Sequence, residues 1–295
     1  MSTPGLLCTA QQILNWRDRR YRRRPELKLR TLQQALEFVT DVSFCFLFPE
    51  KGVEMPSLWE AICGRSRPVP VHHDDLELEY AWRWKDDLPS RGLIFYGKLL
   101  RKKPMLISLE SLPYFYAQSE NYGTTDDYLA EYEDGKLSEE AKRVYEALLE
   151  HGALPTSHLR RAAGLVGKSN ATRFDRAIQE LQVGLKIAKT GISDANAWKY
   201  CYVYDVLLHA YPDLSRRAEP ISSPEAMRVL LSTHLRNVGV ASLEQVIRLF
   251  KWEPSSLRTV CDSLGQEGQV LSGVRVEGWS GEYLAYPLVL SGAVG

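Results

Sequence analysis

The sequence predicts an α+β protein, mainly helical, assembled from tandem winged helix-turn-helix units. Three observations point there. One order of elements (three helices, the second and third joined by a tight turn, then two strands) recurs at intervals of roughly 80–100 residues. Apolar stripes at helical spacing mark the helices, and runs rich in aromatic and β-branched residues mark the strands. Gly, Pro and Ser stand at the joints, where caps and turns want them. The 295 residues leave room for about two ordinary domains or three small ones.

The clearest copy spans 138–205. Ser138 caps a helix, SEEAKRVYEALLEHG, with Ala141, Val144 and Leu148 on one face and Gly152 at its end. Pro155-Thr156-Ser157 opens a second helix, stopped by Gly164. A third runs from about Ser169, with Phe174, Ile178 and Leu181 as its buried stripe. LKIAKTGI and AWKYCYVY follow as strands around Ser193–Asn196. A second copy spans 222–290: helices SPEAMRVLLSTHLRNVG, SLEQVIRLFKW and EPSSLRTVCDSLGQEG, then strands QVLSGVRVEG and EYLAYPLVL. A divergent winged-helix-like unit occupies 31–120. It opens with TLQQALEFVTDV, where Thr31 and Gln34 are placed as a capping box, and continues with LWEAICG, a long helix through LPSRGLIFYGKLLRKK and the strand PMLISL. Residues 1–30 read as a basic N-terminal arm. Segments 64–80, 120–137 and 215–224 read as linkers.

Composition is ordinary for a globular chain, with 44% hydrophobic and 25% charged residues. No apolar run reaches the ~18 residues of a membrane span. The start lacks the basic segment of a secretory signal. The five cysteines form no C-x-x-C pair, which suits a reducing cytosol and argues against a disulfide framework or a structural zinc site. A cytoplasmic protein, nucleoid-associated if bacterial, is expected. Lys plus Arg equals Asp plus Glu at 37 each, so no global field favours nucleic acid, but the charge is uneven. Residues 16–30 hold eight basic and two acidic side chains, whereas 120–140 hold eight acidic and one basic.

Duplex DNA is the partner these patches suggest. On the third helix of the 138–205 copy, Thr172, Arg176 and Gln179 point away from the buried stripe, with Arg173 on the flank. Lys168, Ser169 and Asn170 lie at its N-terminus, where free N–H groups favour phosphate. Arg160 and Arg161 add charge from the second helix. The run Arg22, Arg23, Arg24 in the arm and the cluster Arg91, Lys98, Arg101, Lys102, Lys103 on or after the long helix are further phosphate candidates. For each patch the alternative is a solvated surface. The helix carrying Arg258, Asp262 and Glu267 looks structural.

Chemistry is sought in SFCFLFPEKGVEMPSLWEAIC. There an apolar stretch meets a Gly/Pro-broken turn carrying Glu50 and Glu54. A carboxylate beside aromatic surface can orient water and steady an oxocarbenium ion, or simply face solvent. Trp59, Trp82, Trp84 and Asp86 are candidate pocket residues. In AWRWKDD the aromatic pair beside Lys85 and Asp86 either lines a ligand pocket or caps a core. Trp198, Tyr200, Tyr202 and Tyr204 share a strand face better suited to packing on a core than to base stacking. His72-His73-Asp74-Asp75 lacks a third spaced ligand, so neither metal nor cofactor is expected.

FCFLFPEKGVEMPSLWEAICG, AWRWKDDL and PYFYAQSENYG, together with the repeated winged helices, resemble the AlkZ-related branch of the winged-helix family that includes the AlkZ and YcaQ DNA glycosylases. The resemblance covers roughly 31–290. It implies tandem winged helices around a DNA-binding concavity and metal-free excision of alkylated or crosslinked bases. Those glycosylases carry a Gln-apolar-Gln or Gln-apolar-Asp motif ahead of a Leu-Trp pair. Here the pair is Leu58-Trp59, and the turn before it reads Phe48-Pro49-Glu50-Lys51, with no Gln. Glu50 is the candidate substitute and Glu54 the second. Three readings stay open: a monofunctional DNA glycosylase, a non-catalytic DNA-binding regulator or accessory repair factor, and a protein-interaction scaffold.

Overall fold

The computed structural model describes residues 6–71, 74–119, 121–197 and 199–291. In chain order the elements are β1 (Leu7–Cys8), α1 (Ala10–Arg20), α2 (Leu32–Val42), β2 (Phe44–Phe46), α3 (Leu58–Cys63), α4 (Leu76–Ser90), β3 (Ile94–Lys98), β4 (Pro104–Ser108), α5 (Leu112–Tyr116) and α6 (Asp127–Glu133). Then come α7 (Glu139–His151), β5 (Leu154–Pro155), α8 (Thr156–Ala162), α9 (Ala171–Val183), β6 (Ile187–Ser193), β7 (Cys201–Val206), α10 (Leu207–Ala210) and α11 (Leu214–Ala218). The last are α12 (Ser223–Val238), β8 (Val240–Ala241), α13 (Leu243–Phe250), α14 (Pro254–Gln266), β9 (Leu271–Val276), β10 (Tyr283–Ala285) and α15 (Pro287–Leu290). The chain forms two compact units, one joining residues up to Ala81 with those from Ser223 onward, the other spanning Trp82–Ser222. The segment read as one unit at 31–120 is therefore divided between them.

In the Trp82–Ser222 unit, α7, β5, α8, α9, β6 and β7 form a winged helix. Its strands lie in the order β5-β7-β6, all antiparallel. Val144, Leu148, Leu159, Phe174, Ile178, Leu181 and Ile187 fill its core, so the apolar stripes of α7 and α9 meet as their spacing requires. Ser138 caps α7 by accepting the Ala141 N–H at 3.2 Å. Its own N–H and hydroxyl donate to the Glu180 carboxylate at 2.7 and 2.6 Å, which ties the start of α7 to α9.

The other unit repeats the pattern. Here α12, β8, α13, α14, β9 and β10 enclose Leu231, Leu235, Val246, Leu257, Val260 and Leu264, with strand order β9-β10-β8. Gly239 closes α12 at φ +78°, and a Cβ there would lie 3.1 Å from both Trp16 and Val289. Only glycine fits that turn and that approach.

Several expectations are corrected. Residues 88–103 are not one long helix. The helix begins at Leu76, inside the expected 64–80 linker, and ends at Ser90. A Schellman arrangement stops it, with Leu93 N–H donating to Leu88 O and Gly92 N–H to Pro89 O. Ile94, Phe95 and Tyr96 then pair in the β3–β4 hairpin. The basic arm is folded: β1 runs parallel to β9, and Cys8 and Ile13 join a cluster with Val240, Val274 and Val276. The final strand of the 138–205 copy begins at Cys201, and Trp198 lies outside the described residues. After β10, Pro287–Leu290 turns helical instead of extending the strand. Thr31 caps α2 through the Gln34 N–H, but the Gln34 side chain accepts from Arg30 N–H, one residue short of a reciprocal box.

Candidate functional site

In the Trp82–Ser222 unit, α9 is the third helix of the winged fold. Phe174, Ala177, Ile178 and Leu181 face the core, and Thr172, Arg173 and Arg176 are exposed on the other side. Lys168–Asn170 form a 3-10 turn running into the helix, with Lys168 and Ser169 exposed and Asn170 donating to Val166 O at 3.0 Å. Not all of the expected cations are free. Arg160 pairs with Asp175 at 3.3 Å and lies over the Phe174 ring, while Arg173 pairs with Glu140 at 3.1 Å. Arg161, Lys168 and Arg176 are exposed and have no ion-pair partner among the described residues.

The expected basic cluster after the long helix sits instead at the tip of the β3–β4 hairpin. Arg101 and Lys102 occupy left-handed conformations, φ 56° and 58°, in a turn spanning Leu100–Lys102. Such conformations cost non-glycine residues about 1 kcal/mol or more each, so the surrounding hairpin has to hold them. Arg101, Lys102 and Lys103 are exposed. The turn packs against α9. Two cationic groups far apart in sequence thus belong to one helix, ~20 Å long, and the hairpin tip beside it.

In the other unit the arginine run is largely consumed internally. Arg22 lies 3.8 Å from Asp41. Arg23 pairs with Asp18 at 3.0 Å and reaches Glu60 at 3.5 Å. Arg24 donates to Asn15 O at 3.4 Å. Together with the folding of α1, this makes the run part of the folded unit and not a free arm.

The Glu50/Glu54 loop in that unit is closed at its base by two backbone bonds, Phe46 N–H to Pro56 O and Trp59 N–H to Leu47 O, both 3.0 Å. At its tip, Val53 N–H donates to Glu50 O across Lys51-Gly52, and Gly52 takes the positive φ of +75° that this turn needs. Glu50 is half-buried. Glu54 is 47% exposed and pairs with Arg17 at 3.0 Å. Arg17 is itself fixed, donating to Val238 O at 2.8 Å and Val240 O at 3.2 Å.

Trp59 is wholly buried. Its indole N–H donates to Arg67 O at 2.7 Å and its ring packs on Phe48, so it braces the loop and does not line an open pocket. Sequence reading missed Tyr21, Glu60 and Arg17. Tyr21 is buried and its hydroxyl has no hydrogen-bond partner among the described residues. Burial and the nearby Glu54 push that hydroxyl well above the usual phenol range. Glu60, 4% exposed, accepts from Ser57 and lies beside Arg23. Its only sequence signal was its place three residues after the capping Ser57.

Trp82, Trp84 and Asp86 separate by the period of α4. Trp84 is core, at 2% exposure, and Trp82 is 40% exposed. Asp86 lies in a buried network with Lys85, whose Nζ donates to Asp86 Oδ1 at 2.6 Å and to the Tyr200 and Tyr202 hydroxyls at 2.8 Å. Tyr200 in turn donates to Asp86 Oδ2 at 2.9 Å. Along the tyrosine row Tyr204 is core and Tyr202 packs against it, whereas Tyr200 is 39% exposed, and the hydroxyls of Tyr200 and Tyr202 meet a buried ion pair. His72 and His73 lie outside the described residues, and among the described residues no three metal-ligating side chains converge. Among those residues, too, no helix is long and apolar enough to cross a membrane.

Two such modules, each with three helices and a β-hairpin in the same strand order, place the chain among tandem winged-helix proteins. The family model described as AlkZ related matches residues 29–251, and the chain belongs to that family. Its fold is similar to that of the DNA glycosylase AlkZ of Streptomyces sahachiroi, with a TM-score of 0.57 at 13% identity, over 95% of this chain and 70% of that one. No curated protein matches in sequence.

Proposed function

We propose that this protein binds duplex DNA through α9 and the β3–β4 tip, and removes damaged bases by hydrolysing the N-glycosidic bond. The observation carrying the reading is the set of exposed cations Arg101, Lys102, Arg161, Lys168 and Arg176, none with an ion-pair partner among the described residues. Phosphate oxygens are their natural complement, and Ser169 and Thr172 are exposed polar groups suited to base edges. Base removal is supported by the AlkZ-related family and by the glycosylase named as the structural neighbour. In that reaction the bond from sugar to base breaks, positive charge develops on the sugar ring, and water adds at C1′. Glu54, held in place by Arg17, is the carboxylate we assign to steady the charge and guide the water, with Glu50 second.

Free-base release from alkylated duplex DNA tests this. Glu54→Gln lowers release by about 100-fold or more with DNA affinity within twofold, as for loss of a catalytic carboxylate. Unchanged release in both Glu54→Gln and Glu50→Gln removes the loop from the mechanism. The lack of a glutamine in the turn Phe48-Pro49-Glu50-Lys51 ahead of Leu58-Trp59 favours a second reading, a non-catalytic DNA-binding repair factor. Tight DNA binding with no base released establishes it.

A further inference from the structure

A second concentration of charge lies in the Trp82–Ser222 unit. Lys189, on β6, is 5% exposed. Its Nζ is 4.2 Å from the Tyr96 ring centroid and 3.9 Å from that of Tyr202, and it has no hydrogen-bond acceptor or ion-pair partner among the described residues. The β6–β7 register shifts between Lys189 and Gly191, and a bulge of this kind re-aims a side chain. Around the amine stand Lys85 and Asp86 from α4, Tyr96 and Lys98 from β3, and Tyr202 from β7. The one carboxylate among them is already engaged by Lys85 and Tyr200. Burial, then repulsion from Lys85 and Lys98, pulls the Lys189 amine down to about 7. Near neutral pH a large share of it is free base, whereas fewer than about one in a thousand ordinary lysines are. A desolvated lysine beside other cations is an activated nucleophile. Lys85 is itself fully buried, and its neighbours Tyr200 and Trp82 are 39% and 40% exposed, so the cluster lies beneath side chains that border solvent.

We propose that Lys189 condenses with an aldehyde, namely the C1′ aldehyde of the ring-opened deoxyribose at an abasic site in DNA. The substrate rests on the DNA reading above; the amine does not. The Nζ lone pair attacks the carbonyl carbon, the carbonyl oxygen leaves as water with the two amine protons, and a C=N bond joins Lys189 to the sugar. Nothing is oxidised or reduced.

The test is incubation of the full chain with duplex DNA bearing one abasic site. Sodium cyanoborohydride supplies the hydride that fixes the imine as a stable amine, and peptide mapping follows. A parallel arm uses pyridoxal 5′-phosphate with the same reductant. The expected result is a protein–DNA adduct mapped to Lys189, with a yield that rises as pH passes through 7. It falls more than tenfold in Lys189→Met, whose fold is checked by circular dichroism. Mapping on the unaltered protein needs no variant. Labelling of Lys189 by the small aldehyde without a DNA adduct overturns the sugar as substrate. An adduct at another lysine, or none in either arm, overturns the nucleophile. Base release is read separately on alkylated duplex, so an abasic-site adduct in a protein that releases no base sinks excision and leaves this inference standing.

Discussion

Replacing Asp86 by Asn removes one negative charge and little else, because the two side chains have nearly the same shape. Lys85 is 0% and Asp86 9% exposed, so solvent does little to screen the loss. The Lys85 ammonium keeps the Tyr200 and Tyr202 hydroxyls as acceptors but loses its anionic partner at 2.6 Å. Breaking a buried pair from one side costs about 3–5 kcal/mol, against roughly 0–1 for an exposed pair. For a unit of this size that is a fall of about 6–20 °C in Tm. Urea unfolding followed by circular dichroism reads the same loss as a lower midpoint at unchanged slope. The double variant Lys85→Met/Asp86→Leu recovers most of it, since neither charge remains to be desolvated. A cost below about 1 kcal/mol for Asp86→Asn refutes the reasoning, because it puts the pair in the exposed class.

His234 in α12 is buried, and burial, then the Arg17 charge, lowers its pKa to about 3. Between there and the ordinary value near 6.5 the unfolded chain binds one more proton than the native one. Stability therefore falls as pH drops below 6.5, by about 1.4 kcal/mol per pH unit from this residue. Unfolding midpoints between pH 6.5 and 5 show that slope, and His234→Leu flattens it; equal slopes in the two proteins contradict the assignment. Ser138→Ala removes the α7 cap and the hydroxyl donor to Glu180 while the backbone N–H donor remains, which lowers stability by about 1–2 kcal/mol in chemical denaturation.

The winged helices were legible because their signals are local. The Phe174/Ile178/Leu181 stripe, Ser138 and Gly152 each follow from neighbours within a few residues. The 88–103 segment was misread because KLLRKK has helical composition, while the decisive facts were Gly92 closing a helix that starts at Leu76 and the β3–β4 pairing. The basic run Arg22–Arg24 looked like a free arm because two of its partners, Asp41 and Glu60, lie well along the chain, and the local ones, Asp18 and Asn15, face it only once α1 has folded. Lys189 gave no signal at all. A lysine in LKIAKTGI reads as an exposed strand position, and only the bulge and the tertiary approach of Tyr96 and Lys85 make it a buried amine. Charge sign was readable along the chain; which charges remain unpaired was decided by the fold.

The claim on which the rest depends is that unpaired cations on and beside α9 take up DNA phosphates. The direct measurement is the affinity for a short duplex as a function of salt concentration, for the protein and for Arg161→Ala/Lys168→Ala/Arg176→Ala. Neutralising five phosphates predicts a log–log slope near −4.5, and removing three cations makes it shallower by about 3 units while weakening binding to all sequences. A slope unchanged by the triple substitution, or affinity insensitive to salt, contradicts the account.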